Sequence, residues 1–151
     1  MKYLAWIGLP LLLLSLGCHK DERLQSEIDE ELIDAYLTEH QITAERHSSG
    51  LYYVIEEPGS GNSPNVNSEV QVRYKGYFLD GTVFDQTSGD NTAIFFLYNV
   101  IDGWQIGIPL LKKGGKAKLF VPSGLGYGYY GRGDVPGNTV LIFDVELVNF
   151  Q

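Results

Sequence analysis

The sequence is short of the side chains on which most enzyme chemistry depends. It has one cysteine, Cys18, and three histidines, which are His19, His40 and His47. From Gly50 onward there is neither histidine nor cysteine, so that part of the chain lacks the Ser-His and Cys-His pairs of nucleophilic catalysis. It also lacks the imidazole and thiolate ligands of zinc and copper sites, and no alternating acidic loop of the calcium-binding kind is present. We therefore expect no metal and no cofactor.

Basic residues are also few, and the balance of charge is acidic. The chain has 11 Lys and Arg against 19 Asp and Glu, a formal net charge of −8 at pH 7. Nucleic-acid binding requires clustered Lys and Arg that contact phosphates. The basic cluster at 112–118 is typical of a solvated turn and strand face. We therefore expect no nucleic-acid partner.

One long apolar run is present, at the N-terminus. The run from Leu4 to Leu14 follows a single positive charge at Lys2 and ends in small residues before Cys18. This pattern is typical of a secretory signal, and the run is too short and wrongly flanked for a spanning helix. The alternative is a retained membrane anchor helix. We predict that residues 1–17 are a lipoprotein signal peptide.

The segment LSLGC at 14–18 resembles a bacterial lipobox, in which the cysteine is acylated and becomes the mature N-terminus. It departs from that pattern at Ser15, where a leucine is usual. Cys18 is therefore the predicted lipidation site, and acyl chains such as palmitate, at ~0.8 kcal/mol per buried CH₂, would make a durable anchor. We expect a protein of the cell envelope, anchored to a bacterial membrane. The outer membrane is the favoured location, with the domain facing the periplasm or the cell surface.

Residues 18–50 are predicted to form a tether and an amphipathic helix. The apolar stripe of this helix recurs at a spacing of three to four residues and consists of Ile28, Leu32, Ile33, Tyr36 and Leu37. Ser26 is the expected N-cap, with Asp29 completing a partial capping box, and 44–50 is a predicted linker. The stripe must pack on the following domain or on a second copy of itself, which would make a dimer. We favour the first.

From Leu51 the apolar pattern changes to the period of two that is typical of strands. At 70–75 apolar and polar residues alternate, as in an antiparallel strand with one buried face. A short helix begins at Asp102, and Pro109 limits it to about two turns. About five short antiparallel strands that bury one face against one helix make an α+β domain. We predict that this domain spans 51–151.

The stretch GLGYGYYGRGD at 124–134 contains two familiar motifs. Its G-x-G-x-x-G would be a dinucleotide loop only if it followed a strand and opened a helix. Here Pro122 precedes it, and the next regular element is a strand from Thr139. The Arg-Gly-Asp tripeptide is a frequent chance match. Neither motif predicts a function.

Five blocks of sequence between residues 51 and 150 resemble, in order and spacing, the FKBP family of peptidyl-prolyl cis–trans isomerases, which also bind macrolides. The blocks are VRYKG (72–76), DGTVFD (80–85), VIDGW (100–104), YG (127–128) and LIFDVEL (141–147). The resemblance implies a five-stranded antiparallel sheet wrapped around one short helix, with a pocket between them. The upstream helix and lipobox resemble the periplasmic lipoprotein members.

The resemblance also implies the residues of the pocket. Those expected to act on the substrate are Tyr74, Phe84, Asp85, Trp104, Tyr127 and Phe143. Those expected to bind it are Phe95, Val100, Ile101 and Val135. Taken without the resemblance, aromatic residues at period two in strands, such as Phe84 and Phe143, are usually core side chains.

The resemblance also implies a role for individual pocket residues. Trp104 would form the floor under the proline ring, and the backbone N–H of Ile101 would hold a carbonyl of the peptide. The Tyr127 hydroxyl would bond the carbonyl near the rotating bond, and Asp85 would be the one carboxylate in an aromatic site. The glycines near Tyr127 would allow the loop 124–134 to turn tightly and bring Tyr127 over the cleft. Arg132 would lie on the flap that this loop forms.

Two positions depart from the family pattern. Ala93 stands where the family's prototype has an aromatic residue, so that wall is expected to be more open. Val135 takes the place of an isoleucine that usually precedes the prolines of this loop. Both leave open an alternative, an FKBP-like peptide-binding or holdase module with little turnover. A third alternative is a scaffold lipoprotein that dimerises through its N-terminal helix.

An isomerase needs none of the missing side chains. Rotation about an amide meets a barrier of ~18–20 kcal/mol from resonance, which makes X–Pro rotation slow enough to limit folding. An apolar pocket destabilises the planar, more dipolar amide, and its walls can bind the twisted form preferentially. The expected function is therefore prolyl isomerisation in exported proteins. The expected partners are proline-containing polypeptides, with macrolides as inhibitors.

Overall fold

The computed structural model of the protein describes residues 24–151. The predicted signal peptide, 1–17, and the predicted lipidation site, Cys18, lie outside the described residues. Within 24–151, none of the helices has the length and apolar character that crossing a membrane requires.

The described chain contains two helices, seven strands and three short 3-10 turns. The helices are α1 (Gln25–Glu39) and α2 (Asp102–Gly107). The strands are β1 (Glu45–Arg46), β2 (Tyr52–Glu57), β3 (Glu69–Tyr77), β4 (Val83–Gln86), β5 (Ala93–Phe96), β6 (Lys116–Val121) and β7 (Leu141–Phe150). The turns are Leu97–Asn99, Ile108–Leu110 and Ser123–Leu125.

All seven strands join one antiparallel sheet in the order β1-β2-β6-β7-β3-β4, with β5 also paired to β3. The α+β architecture is confirmed, but the strand number exceeds the expected five for two reasons. The strands β4 and β5 share one position beside β3, since β4 pairs with 75–77 and β5 with 69–72. In addition, β1 lies within the predicted linker 44–50, where its two residues pair with Tyr52 and Tyr53.

Helix α2 packs on one face of the sheet, which we call the inner face. The strands β6 and β7 send every second side chain to this face, as Leu119, Val121 and Phe143 do. Two glycines of α2 let it approach β6 closely. A Cβ on Gly103 would lie 2.6 Å from the Val121 side chain, and one on Gly107 would lie 2.7 Å from Leu119. After Gly107 the helix gives way to the 3-10 turn that contains Pro109, so the short helix is confirmed.

Helix α1 packs on the opposite, outer face of the same sheet. Ile33 and Leu37 are 0% and 8% exposed and join a cluster with Phe120 of β6 and Ile142 of β7. The helix therefore uses its apolar stripe on its own domain, as we favoured, although Leu32 of that stripe is 43% exposed.

The predicted cap of α1 is wrong. The helix begins at Gln25, one residue before the expected N-cap Ser26. The Leu24 N–H donates to the Glu27 carboxylate at 3.3 Å. Asp29, expected to serve the capping box, is 1% exposed and bonds to Ser123 instead. A partner distant in sequence thus outweighs the local capping pattern.

Candidate functional site

A cavity of about 450 Å³ opens on the inner face, between α2, strands β3 to β5 and the loop after β6. Its lining residues are Tyr74, Asp85, Phe95, Asn99, Val100, Ile101, Trp104, Tyr127, Arg132 and Phe143. The fold thus brings together eight of the ten residues that the sequence nominated. The lining is mostly aromatic and aliphatic with a few polar groups, which is the usual composition of a small-ligand site.

Trp104 is the buried side chain that α2 contributes to the cavity lining, at 4% exposure. Three other rings meet it nearly at right angles. The centroids of Tyr74, Phe143 and Phe95 lie 5.1, 5.4 and 5.8 Å from that of Trp104. Edge-to-face packing of this kind is the favoured arrangement of aromatic pairs. Among residues 24–151 the indole N–H of Trp104 has no hydrogen-bond partner. The floor of the cavity is therefore aromatic and rigidly packed.

The backbone segment Val100–Ile101 enters the cavity just before α2. The Gln105 side chain donates to the Val100 carbonyl at 2.8 Å. The Ile101 carbonyl accepts from the N–H of Trp104 at 2.9 Å and of Gln105 at 3.1 Å. These bonds fix the extended segment against the helix. No backbone acceptor for the Ile101 N–H occurs among the described residues.

A tyrosine–aspartate pair forms the polar wall. The Tyr74 hydroxyl donates to Asp85 Oδ2 at 2.6 Å. Burial raises the pKa of Tyr74, and the hydrogen bond to Asp85 raises it further. The pair reaches across from β3 to β4, where Gly76 faces Asp85 in register. Tyr74 therefore stays protonated and holds the carboxylate in one orientation.

Tyr127 follows the 3-10 turn that begins at Ser123. The N–H groups of Gly126 and Gly128 both donate to the Ser123 carbonyl, at 3.0 and 2.8 Å. Gly128 has φ of +64°, a conformation that favours glycine. No helix follows these glycines before β7, so the loop does not have dinucleotide-loop geometry. The hydroxyl of Tyr127 has no hydrogen-bond partner within the described chain and is free to bond a ligand.

Two nominated residues do not line the cavity. Phe84 packs behind it, with its ring centroid 5.6 Å from Phe143 and 5.0 Å from Phe78. Val135 is 6% exposed and belongs to the inner core. Its backbone pairs with Arg132 through bonds of 2.9 and 3.0 Å, which places Arg132 at the cavity rim.

Sequence reasoning did not nominate Asn99 as a lining residue, and it placed Arg132 only on the flap. Both are exposed, Asn99 at the end of the 3-10 turn Leu97–Asn99 and Arg132 in the loop after β6, where no apolar period indicates which way a side chain points. Their position next to nominated residues in the sequence was the available signal. Within residues 24–151 no cluster of three or more His, Cys, Asp or Glu side chains could hold a metal ion.

Comparisons with known proteins agree with this geometry. The chain is 43% identical over 106 residues to the FKBP-type peptidyl-prolyl cis-trans isomerase FkpA of Buchnera aphidicola subsp. Schizaphis graminum, covering 69% of this chain and 42% of that one. It is 46% identical over 104 residues to FkpA of Aeromonas hydrophila, covering 68% and 39%. The chain therefore spans about two fifths of the length of these curated relatives.

Solved structures show the same fold. The crystal structure of FkpA from Escherichia coli superposes with a TM-score of 0.74 at 34% identity, covering 84% of this chain and 63% of that one. A peptidyl-prolyl cis-trans isomerase from Pseudomonas syringae pv. tomato gives a TM-score of 0.71 at 29% identity, covering 85% and 98%. The sequence model of the family described as FKBP-type peptidyl-prolyl cis-trans isomerase matches residues 61–148. The chain belongs to the FKBP-type peptidyl-prolyl cis-trans isomerase family.

Proposed function

We propose that the protein is a peptidyl-prolyl cis–trans isomerase that rotates X–Pro bonds in exported polypeptides. The observation that carries this proposal is the aromatic cavity above Trp104, with the Tyr127 hydroxyl and the Tyr74–Asp85 pair on its walls. The cavity volume of about 450 Å³ falls within the range of small-ligand pockets. It is also in keeping with macrolides as inhibitors.

The proline ring rests on the Trp104 indole, between the edges of Tyr74, Phe95 and Phe143. These side chains are held by one another and by α2, so little ordering is needed when the substrate enters. The backbone N–H of Ile101 bonds a peptide carbonyl. The Tyr127 hydroxyl bonds the carbonyl beside the rotating bond.

Catalysis follows from desolvation and shape. The planar amide is more dipolar than the twisted one, so transfer from water to aromatic walls raises the energy of the ground state more than that of the transition state. Contacts that fit the twisted amide better than the planar one then lower the barrier. No bond is broken and no proton is moved. The Tyr74–Asp85 pair gives the walls a fixed polar edge.

The alternative function is peptide holding with little turnover, and one observation favours it. Large apolar side chains are exposed on the strand and the loop that border the cavity. Ile94 and Phe96 of β5 are 60% and 45% exposed, and Tyr129 and Tyr130 are 74% and 92% exposed. Such a surface could retain an unfolded chain whose proline occupies the cavity.

A protease-coupled assay on a short X–Pro peptide separates the two functions. A soluble form of the protein, residues 20–151, is expected to accelerate cis–trans rotation, and a macrolide is expected to inhibit it. Saturable peptide binding without any rate above background would overturn the isomerase proposal in favour of the holding module. Absence of both binding and rate would overturn both.

We also propose that the protein is a lipoprotein, in which Cys18 is acylated and, on removal of residues 1–17, becomes the mature N-terminus that anchors the protein in the bacterial envelope. The support is the sequence pattern of the signal and lipobox. Labelling with a palmitate analogue in a diderm host is expected to mark the wild type and not Cys18→Ala. Equal labelling of both would contradict the proposal.

A further inference from the structure

One carboxylate of α1, that of Asp29, is buried and hydrogen-bonded to a turn beside the cavity. Asp29 is 1% exposed, and Ser123, 94 residues away, is 2% exposed. Asp29 Oδ2 accepts from the Ser123 backbone N–H at 2.8 Å and from its hydroxyl at 2.6 Å. The other oxygen, Oδ1, accepts from the Gln25 side chain at 2.8 Å. A carboxylate is tolerated at such depth only when its oxygens are hydrogen-bonded.

Ser123 in turn holds both neighbours of Tyr127. Its N–H opens a 3-10 turn and has no acceptor inside that turn, so Asp29 supplies the acceptor. Its carbonyl accepts from Gly126 and Gly128, the residues on either side of Tyr127. The path from α1 to the cavity therefore consists of one carboxylate, one serine and two glycine amides.

The rest of α1 gives Asp29 a rigid base. One turn after Asp29, Ile33 is fully buried against the outer face of the sheet. In the same cluster lies Phe120, three residues before Ser123 in the chain. The helix and the strand that leads into the turn are thus packed together.

We propose that Asp29 is a positioning residue, which fixes the Ser123 turn and through it the place of the Tyr127 hydroxyl over the cavity. The inference rests on the proposed isomerase function and extends it, because α1 then serves catalysis from the outer face of the sheet. Small displacements of a catalytic group cost large factors in rate. Hydrogen bonds to a charged acceptor are also stronger than neutral ones, which suits them to holding a turn in place.

The first test compares isomerase rates of three variants at a temperature where all are folded. Asp29→Asn weakens the acceptor, and Ser123→Ala removes the hydroxyl donor of Ser123 while keeping its backbone N–H. Leu37→Ala, two turns further along α1, is the matched control that loses outer-face packing without touching Asp29. We expect kcat/KM to fall roughly fivefold to tenfold for Asp29→Asn, less for Ser123→Ala, and not for Leu37→Ala. Equal losses in Asp29→Asn and Leu37→Ala would overturn the proposal.

A double-mutant cycle shows whether Asp29 acts through Tyr127. In a Tyr127→Phe background the hydroxyl is gone, so Asp29→Asn should lower kcat/KM by less than about twofold. A merely structural role predicts the same factor in both backgrounds. That result would overturn the proposal even if all variants fold.

Amide hydrogen exchange tests the positioning without relying on activity. Asp29→Asn is expected to speed exchange at Gly126 and Gly128 roughly tenfold, while the amides of β6 and β7 keep their wild-type rates. Unchanged glycine rates, or a rise throughout the sheet, would overturn the proposal. If the wild type has no isomerase rate, the proposed function fails, whereas the exchange result still decides whether Asp29 holds the turn.

Discussion

The two faces of the sheet differ in how completely they are covered. The outer face is covered by the 15 residues of α1, and none of its buried side-chain polar atoms within 24–151 lacks a partner; the Tyr52 hydroxyl, for example, donates to Glu30 at 3.0 Å. The inner face is covered by the six residues of α2. It keeps a cavity of about 450 Å³ and an indole N–H on Trp104 without a partner in the described chain. The outer face therefore serves chiefly stability, whereas the inner face is packed less completely at the place where the proposed substrate would bind.

The same division appears along single strands. In β7 the side chains alternate between faces, so Ile142 packs against α1 while the next residue, Phe143, lines the cavity. In β6, Phe120 faces outward and Leu119 lies under α2. Adjacent residues thus have different tasks, and substitutions one position apart should have different consequences.

The largest expected effect is a loss of stability, caused by a substitution on the outer face. Leu37→Ala removes a side chain that is 8% exposed, and we expect the free energy of unfolding to fall by about 2–4 kcal/mol. The cavity does not change, so kcat/KM of the folded protein should equal that of the wild type. Urea denaturation and the peptide assay measure the two quantities. A large loss of kcat/KM in fully folded protein would break the contrast between the faces.

Substitutions in the cavity should have the opposite result, with a lower kcat/KM and little loss of stability. Tyr127→Phe and Asp85→Ala are each expected to lower kcat/KM about tenfold, which corresponds to ~1.4 kcal/mol. The first removes the free hydroxyl, and the second removes the acceptor of Tyr74. Tyr53→Phe is a matched control, since its hydroxyl bonds Glu45 away from the cavity.

Unchanged kinetics in both cavity variants would show that the polar groups of the cavity are not used. A loss of stability as large as that of Leu37→Ala would show that the inner face is packed for stability after all. Either result would remove the distinction between the two faces.

The smallest expected effect is a loss of stability at high pH. Burial and the bond to Glu30 raise the pKa of Tyr52 to about 12, and burial with the bond to Asp85 raises that of Tyr74. The unfolded chain loses these protons near the ordinary tyrosine pKa of about 10, before the folded protein does. Stability from these groups is therefore complete below about pH 10 and is lost as the pH rises towards the folded values.

Variants assign that alkaline loss to each face. Tyr52→Phe should make stability less dependent on pH without affecting the peptide assay. Tyr74→Phe should do so and also lower kcat/KM, because its hydroxyl orients Asp85. Urea denaturation at several alkaline pH values measures both. A pH dependence that is the same in both variants and the wild type would contradict the assignment.

The local sequence determined most of the framework. Hydrophobic alternation at 70–75 located β3, and the strand expected from Thr139 is β7, which begins at Leu141, because strand periodicity depends only on which side chains are buried. Pro109 predicted the short central helix for a chemical reason that holds in any context. The resemblance to the family named ten pocket residues, of which eight line the cavity; seven of these eight lie in the five blocks, and Phe95 lies outside them.

Only the tertiary structure determined which surface each buried face packs against and which partner each buried polar group binds. Periodicity predicted the apolar stripe of α1 but not its contact surface, and the pairing of Asp29 with Ser123 joins residues 94 positions apart. Likewise, Val135 was nominated for the cavity but lies behind its wall, and Asn99 was missed. The physical reason is common to all three. Side-chain direction in short turns and loops, and hydrogen bonds between distant segments, depend on packing that no local pattern encodes.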